Sequence, residues 1–214
     1  MGNTRINLLK NAGLYFVTSG ELSSAPTIDV LKKYLKAGGR MFQLREKTMS
    51  SSDLLTLASA CKKLADEHDA LFIVNDDVKI AGAVKADGVH LGQEDMSVQE
   101  ARKILGTDCI IGVSTHNIEE AILAQEQGAD YINIGPVYPT QTKEHTAALG
   151  LTGVEKILPY VRVPFTFMGG LKEKNILPLL KYKPCALAMV TEISRATDVE
   201  EKVKNLLSMC FNSY

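Results

Sequence analysis

The chain has 214 residues, 45% of them apolar and 23% charged, with a formal net charge of −1. That length supports one large core and favours a single domain over residues 1–214. Its Lys and Arg are scattered, which excludes a global basic field for nucleic acid, so any anion must be held by a local cluster.

Short β-rich apolar runs alternate with amphipathic stretches from one end to the other. The first predicted strand covers residues 13–18. A helical pattern at 27–37 follows, with Ile28, Leu31, Tyr34 and Leu35 on one face. A strand at 40–45 leads to a helix at 51–67, and a strand at 70–75 ends at Asp76 and Asp77, either of which can cap a helix before Val78. The strand at 88–91 precedes a helix at 97–105, where Ser97 and Glu100 have capping-box spacing. Strands at 109–113, 131–134, 163–168 and 186–190 are followed by helical patterns at 118–127, 152–158, 173–181 and 196–209. Eight β–α units at a spacing of about 25 residues, without a linker, predict an α/β fold: one compact (β/α)8 TIM barrel. A doubly wound sheet would use fewer strands and a switch point. In such a barrel the chemistry sits where strands end and the following loops begin.

The polar residues gather at those junctions. Strand two ends in Gln43-Leu44-Arg45-Glu46-Lys47. Alternation along a strand points Gln43, Arg45 and Lys47 the same way. A fork-shaped and a compact cation beside an amide suit a diphosphate, although a solvated rim paired with Glu46 is the ordinary alternative. Strand three ends in Val74-Asn75-Asp76-Asp77, and unit four carries His90-Leu91-Gly92-Gln93-Glu94-Asp95. These junctions are neighbours in a barrel, so Asp76 and Asp95 can meet and serve Mg²⁺, which takes one or two carboxylates with substrate oxygens and water. Helix capping is the competing role, and Asp77 is left to it. His90 reads as a packed strand residue without a role. Ser114 could orient a substrate or simply start a helix.

The sixth junction, Gly135-Pro136-Val137-Tyr138-Pro139-Thr140-Gln141-Thr142-Lys143, opens a long loop that could grip an anion and close as a lid, or be merely flexible. Strand seven ends in Gly169-Gly170 and strand eight in Val190-Thr191. That is the usual place for a phosphate on backbone N–H groups, though a Gly-Gly turn alone is commonplace. Cys61, Cys109, Cys185 and Cys210 lack C-x-x-C spacing and imply neither zinc nor a disulfide framework. No apolar run approaches ~18 residues, and the first residues lead into no signal-peptide core, so a cytoplasmic protein is expected.

Taken together, these motifs resemble the thiamine phosphate synthase family, and the resemblance runs from the first strand to the last helix. It implies two small-molecule substrates, hydroxymethylpyrimidine diphosphate and a thiazole phosphate. It implies that Gln43, Leu44, Arg45, Glu46, Lys47, Asn75, Ser114 and Lys143 hold the first. Thr140, Gln141, Thr142, Gly170, Val190 and Thr191 would hold the phosphate of the second, with Asp76 and Asp95 as Mg²⁺ ligands. Lys183-Pro184-Cys185-Ala186 replaces the family's Gly-Ala-Asp-Gly, Thr191 a Ser, and Asn133 a frequent Gly. No Ser–His–Asp or Cys–His arrangement is apparent, which suits a dissociative substitution with Mg²⁺, Arg45, Lys47 and Lys143 stabilising pyrophosphate as it leaves. Two alternatives stand beside it: a thiazole tautomerase using His116 as acid–base group, and a barrel that binds thiamine phosphates without turnover. No nucleic-acid or membrane partner is expected, and a homo-oligomer is left open.

Overall fold

Each strand is too short to stand alone, and each finds both neighbours. In the computed structural model, which describes residues 2–140 and 147–211 with side chains from residue 5 onward, eight parallel strands close a barrel. They are β1 (Gly13–Val17), β2 (Met41–Leu44), β3 (Leu71–Asn75), β4 (Gly88–Leu91), β5 (Ile110–Thr115), β6 (Tyr131–Ile134), β7 (Phe165–Met168) and β8 (Ala186–Met189). Every strand pairs with the next, and β8 returns to β1 with Leu14 opposite Leu187. After α1 (Gly2–Lys10), the helices are α2 (Thr27–Lys36), α3 (Ser51–Glu67), α4 (Val78–Ala83), α5 (Val98–Leu105), α6 (Ile118–Glu126), α7 (Gly150–Ile157), α8 (Leu177–Leu180), α9 (Thr191–Ser194) and α10 (Val199–Phe211).

Alternation sorts the strand residues into two cores. Phe16, Phe42, Leu44, Phe72, Val74 and Ile111 face outward beneath the helices, and Phe42 stacks on Phe72 with ring centroids 5.0 Å apart. Each such side chain contributes roughly 1.5–3 kcal/mol by burial. Tyr15, Met41, Leu71, Ile73, Tyr131 and Ala188 face inward. The interior also takes in Gln43, His90, Asn133 and Thr166, all buried. Thr166 Oγ1 donates to Asn133 Oδ1 at 3.0 Å, so the buried Asn133 is held inside by a partner.

Helix α1 is not anticipated by the sequence pattern. It brings the fully buried Leu9 against the interior core and places Arg5 Nε 2.9 Å from Asp87 Oδ1, just before β4. Arg5 also donates to the Asp108 carbonyl at 3.0 Å, just before β5. The helix therefore packs at the end where strands begin, leaving the opposite end as the mouth.

Other departures from expectation have local causes. The helix predicted at 173–181 divides into a 3-10 turn, Glu173–Asn175, and α8, because Pro178 lacks the N–H a continuous helix would need. The last helix starts at Val199 rather than 196, and Asp198 Oδ1 accepts the Glu201 N–H at 3.0 Å. The eighth unit keeps part of the geometry seen in the fourth and sixth. Asp87 and Asp130 accept N–H groups from Phe72 and Ile111, each the residue whose carbonyl accepts the aspartate's own amide. Cys185 keeps the backbone bond to Phe165 at 2.8 Å but has no carboxylate for the second. Lys183 takes a left-handed φ of 55°, as Lys85 does at 54° in unit four. No helix among the described residues is long and apolar enough to cross a membrane.

Candidate active site

The ends of β2, β3, β4 and β5 lie side by side and carry most of the expected polar set. Arg45 is half-buried, and its backbone N–H donates to Thr18 Oγ1 at 3.0 Å. Burial pulls its guanidinium below the usual arginine range, while Asp76, Glu46 and Glu21 oppose that shift. Lys47 is exposed, with Nζ 3.7 Å from Asp76 Oδ2. Glu46 does not form the rim pair considered from the sequence. Its carboxylate accepts from Thr18 Oγ1 at 2.9 Å, Thr27 Oγ1 at 2.8 Å and the Gly20 N–H at 2.7 Å. It is a brace that ties the first loop to the second. Leu44 is 1% exposed and points outward into the barrel–helix core, so only its backbone could meet a ligand. Gln43 points inward, also 1% exposed, and Nε2 donates to Tyr15 Oη at 2.6 Å.

Asp76 adopts φ 60°, a left-handed conformation that Asp and Asn tolerate better than other side chains. Its N–H donates to the His90 carbonyl at 2.9 Å, prolonging the β3–β4 ladder by one residue. Asp77 caps α4, accepting the Ile80 N–H at 2.8 Å, as expected. Ser97 and Glu100 form the capping box of α5, so Asp95 is not the cap. Asp95 instead closes a turn on the Gly92 N–H at 2.6 Å and hydrogen-bonds the Asp76 carboxyl. Burial, then the Asp95 carboxylate, push the Asp76 carboxyl up to about 6, against the pull of Lys47 and Asn75. Two carboxylates close enough to share a proton are a donor set of the right hardness for Mg²⁺, with the remaining positions open to substrate oxygens and water. Among the described residues no group of three or more His, Cys, Asp or Glu could hold a metal.

Ser114 stands on β5, half-buried, with Oγ 2.9 Å from His90 Nε2; its carbonyl accepts from Gln93 Nε2 at 2.6 Å. His90 is buried, as read from the sequence, but it is a link rather than filler: Nδ1 lies 2.9 Å from Tyr131 Oη. Tyr15, Tyr131 and Gln93 are residues that sequence reasoning passed over, and His90 is one to which it gave no role. Gly112 is the signal that could have found them, since a glycine inside a strand often marks a close approach. A Cβ there would come 2.1 Å from Tyr131 Cζ. His116, the group a tautomerase would use, has Nδ1 2.7 Å from Glu120 Oε2 on α6.

Across the mouth, Gly169-Gly170 follows β7, Val190 follows β8, and Thr191 starts α9. Gly170 has φ 63°, and a Cβ there would come 2.5 Å from the Pro139 carbonyl and 2.8 Å from that of Tyr138. The close approach of the sixth loop therefore demands this glycine whether or not an anion binds. Asn175 Nδ2 donates to the Gly170 carbonyl and Tyr138 Oη to that of Asn175, both at 3.0 Å. Lys202 joins Glu173 to Glu192, pinning the seventh loop to the eighth. Thr140 is half-buried at the end of the described part of the sixth loop, while Gln141, Thr142 and Lys143 lie outside the described residues. Gly170→Ala is expected to cost about 3 kcal/mol through left-handed strain and overlap, which is about 6–12 °C in melting temperature for a chain of this size. A thermal melt by circular dichroism checks this, and an unchanged midpoint would show that the sixth and seventh loops do not pack as described.

A family model described as thiamine monophosphate synthase matches residues 14–193. The chain is 39% identical over 205 residues to a thiamine-phosphate synthase of Dictyoglomus thermophilum, covering 95% of this chain and 92% of that one. It is 40% identical over 198 residues to a thiamine-phosphate synthase of Lawsonia intracellularis, covering 92% and 91%. Among solved structures it is similar to a thiamine phosphate pyrophosphorylase of Pyrococcus furiosus, with a TM-score of 0.88, 32% identity, and coverage of 96% and 98%.

Proposed function

The chain belongs to the thiamine monophosphate synthase family, and we propose that Arg45, Lys47, Asp76 and Asp95 form the corner where a pyrimidine diphosphate loses pyrophosphate to a thiazole phosphate. The activity is thiamine-phosphate synthesis, a transfer between small molecules. The observation that carries the assignment of the corner is the contact of Asp76 with Asp95, with Lys47 Nζ 3.7 Å from the same carboxylate.

Arg45 offers a planar fork to two diphosphate oxygens and Lys47 a compact charge to a third. Lys143, from the sixth loop, adds another cation. Asn75 and Ser114 orient the pyrimidine diphosphate at the ends of β3 and β5, and Gln43 supports them from below. When Mg²⁺ is bound by Asp76 and Asp95, it supplies positive charge to the oxygens of the leaving group. The bond between the pyrimidine methylene carbon and the bridging oxygen breaks, and its electron pair leaves with pyrophosphate. The thiazole nitrogen donates its lone pair to that carbon to form the C–N bond. No proton has to be removed to make the bond, so the cations suffice and the Ser114–His90 pair need not act as nucleophile and base. Thr140, Gln141, Thr142, Gly170 and the backbone of Val190 and Thr191 hold the thiazole phosphate.

A coupled assay with both substrates tests this reading. Thiamine phosphate and pyrophosphate are expected in equal amounts with Mg²⁺, falling at least about a hundredfold in EDTA, since charge stabilisation by a metal supplies several kcal/mol. Absence of thiamine phosphate in either condition would remove the synthase reading, and full turnover in EDTA would remove the metal.

A further inference from the structure

Five polar side chains from five strands, β1, β2, β4, β5 and β6, form a continuous line through the barrel. Gln43 Nε2 is 2.6 Å from Tyr15 Oη, which is 3.0 Å from Tyr131 Oη. Tyr131 Oη is 2.9 Å from His90 Nδ1, and His90 Nε2 is 2.9 Å from Ser114 Oγ. The first four are buried, and the two tyrosines are completely so. Only Ser114 reaches the mouth.

Donors and acceptors along this line can be counted. An amide nitrogen only donates, so Tyr15 Oη accepts from Gln43. Burial holds both phenols far above their ordinary range, so each keeps its one proton. Among the described residues, the other hydrogen-bonding neighbour of Tyr15 Oη, besides Gln43, is Tyr131 Oη. For phenols buried this completely, a proton without an acceptor would cost about 1–3 kcal/mol. Tyr15 therefore donates to Tyr131, and Tyr131 must in turn donate to His90 Nδ1. A histidine that accepts at Nδ1 carries its proton at Nε2, so it donates to Ser114 Oγ. Ser114 Oγ has then accepted, and its own proton is left to give.

We infer that the interior line is directional, and that Gln43, Tyr15, Tyr131 and His90 are positioning residues which make Ser114 a one-way donor to an acceptor atom of the pyrimidine diphosphate. This rests on the synthase reading for the identity of the ligand, but the polarity belongs to the protein alone. Gly112 is part of the device, because only a residue without a Cβ leaves room for the Tyr131 ring. Bonds linked in this way polarise one another, so the last hydroxyl is a better donor than an isolated serine.

The test uses full-length protein labelled with ¹⁵N in its histidines, with the His90 signals identified by their loss in His90→Gln. The wild type is expected to show an unprotonated Nδ1 and a protonated Nε2 in two-bond ¹H–¹⁵N spectra. A protonated Nδ1 would overturn the proposal. Tyr131→Phe should erase this fixed tautomer and raise KM for the pyrimidine diphosphate about tenfold, the worth of one hydrogen bond, with kcat little changed. Combined with Ser114→Ala it should add nothing further, because both act through one hydroxyl. Multiplying effects would overturn the proposal, as they would show Tyr131 acting on its own. A wild type without synthase activity would remove the functional reading, while the spectra still decide the polarity.

Discussion

Asp76→Asn is expected to lower kcat/KM for thiamine phosphate formation about a thousandfold, the equivalent of roughly 4 kcal/mol of lost charge stabilisation. Asn is the informative replacement because position 76 has φ 60°, which Asn accepts and Ala does not. Loss of turnover then reports the carboxylate rather than the backbone. The same variant should be more stable than the wild type in metal-free buffer. The wild-type Asp76 carboxyl is held at about 6 by burial and by Asp95, above its ordinary value of 3.8. A carboxyl raised in the folded state binds its proton more tightly there than in the unfolded chain. Stability therefore falls as pH rises from about 4 to 6 and levels off above. Asp76→Asn removes that fall. Because the side chain is 34% exposed, solvent screening leaves roughly 1 kcal/mol of the effect, or about 2–4 °C at pH 7.5. Mg²⁺ should stabilise the wild type above pH 6 and leave the variant unmoved. Melting curves at pH 4.5 and 7.5, with and without Mg²⁺, check this. A variant that Mg²⁺ still stabilises would place the metal elsewhere.

Much of this site is legible in the sequence because parallel barrels make neighbours of successive strand ends. Asp76 and Asp95 are 19 positions apart, yet counting strands alone brings them together, and the β3–β4 pairing does so. The role of Glu46 is not legible in that way. Its three partners, Thr18, Gly20 and Thr27, belong to the preceding loop and helix, and only the fold shows that they converge on one carboxylate. The interior line is hidden for another reason. Alternation reveals that Tyr15, Gln43, His90, Ser114 and Tyr131 face inward, but not how high each stands in a sheared barrel. Height decides which of them touch, and it is set by register: Asn75 opposite His90, and Gly112 opposite Tyr131. Helix α1 escapes notice because its apolar residues Ile6, Leu8 and Leu9 are too few to make a periodic face.

Arg45→Lys should reduce kcat/KM about a hundredfold although the charge is kept. Arg45 lies half-buried beneath the mouth, while Lys47 is more than half exposed. A buried fork can engage two oxygens of a diphosphate at once, whereas an ammonium on a shorter reach meets one and must give up more hydration to do so. The loss should therefore fall on kcat as well as KM, because the two-pronged contact strengthens as charge moves onto the departing oxygens. Fold stability should change little, since Arg45 makes its structural bond through the backbone N–H to Thr18. Arg45→Met should be about tenfold worse than Arg45→Lys, and the difference isolates charge from geometry. If Arg45→Lys retains full activity, geometry contributes nothing. The diphosphate then has to be gripped chiefly by Lys47, Lys143 and the metal, with Arg45 serving only to offset Asp76 and Glu46.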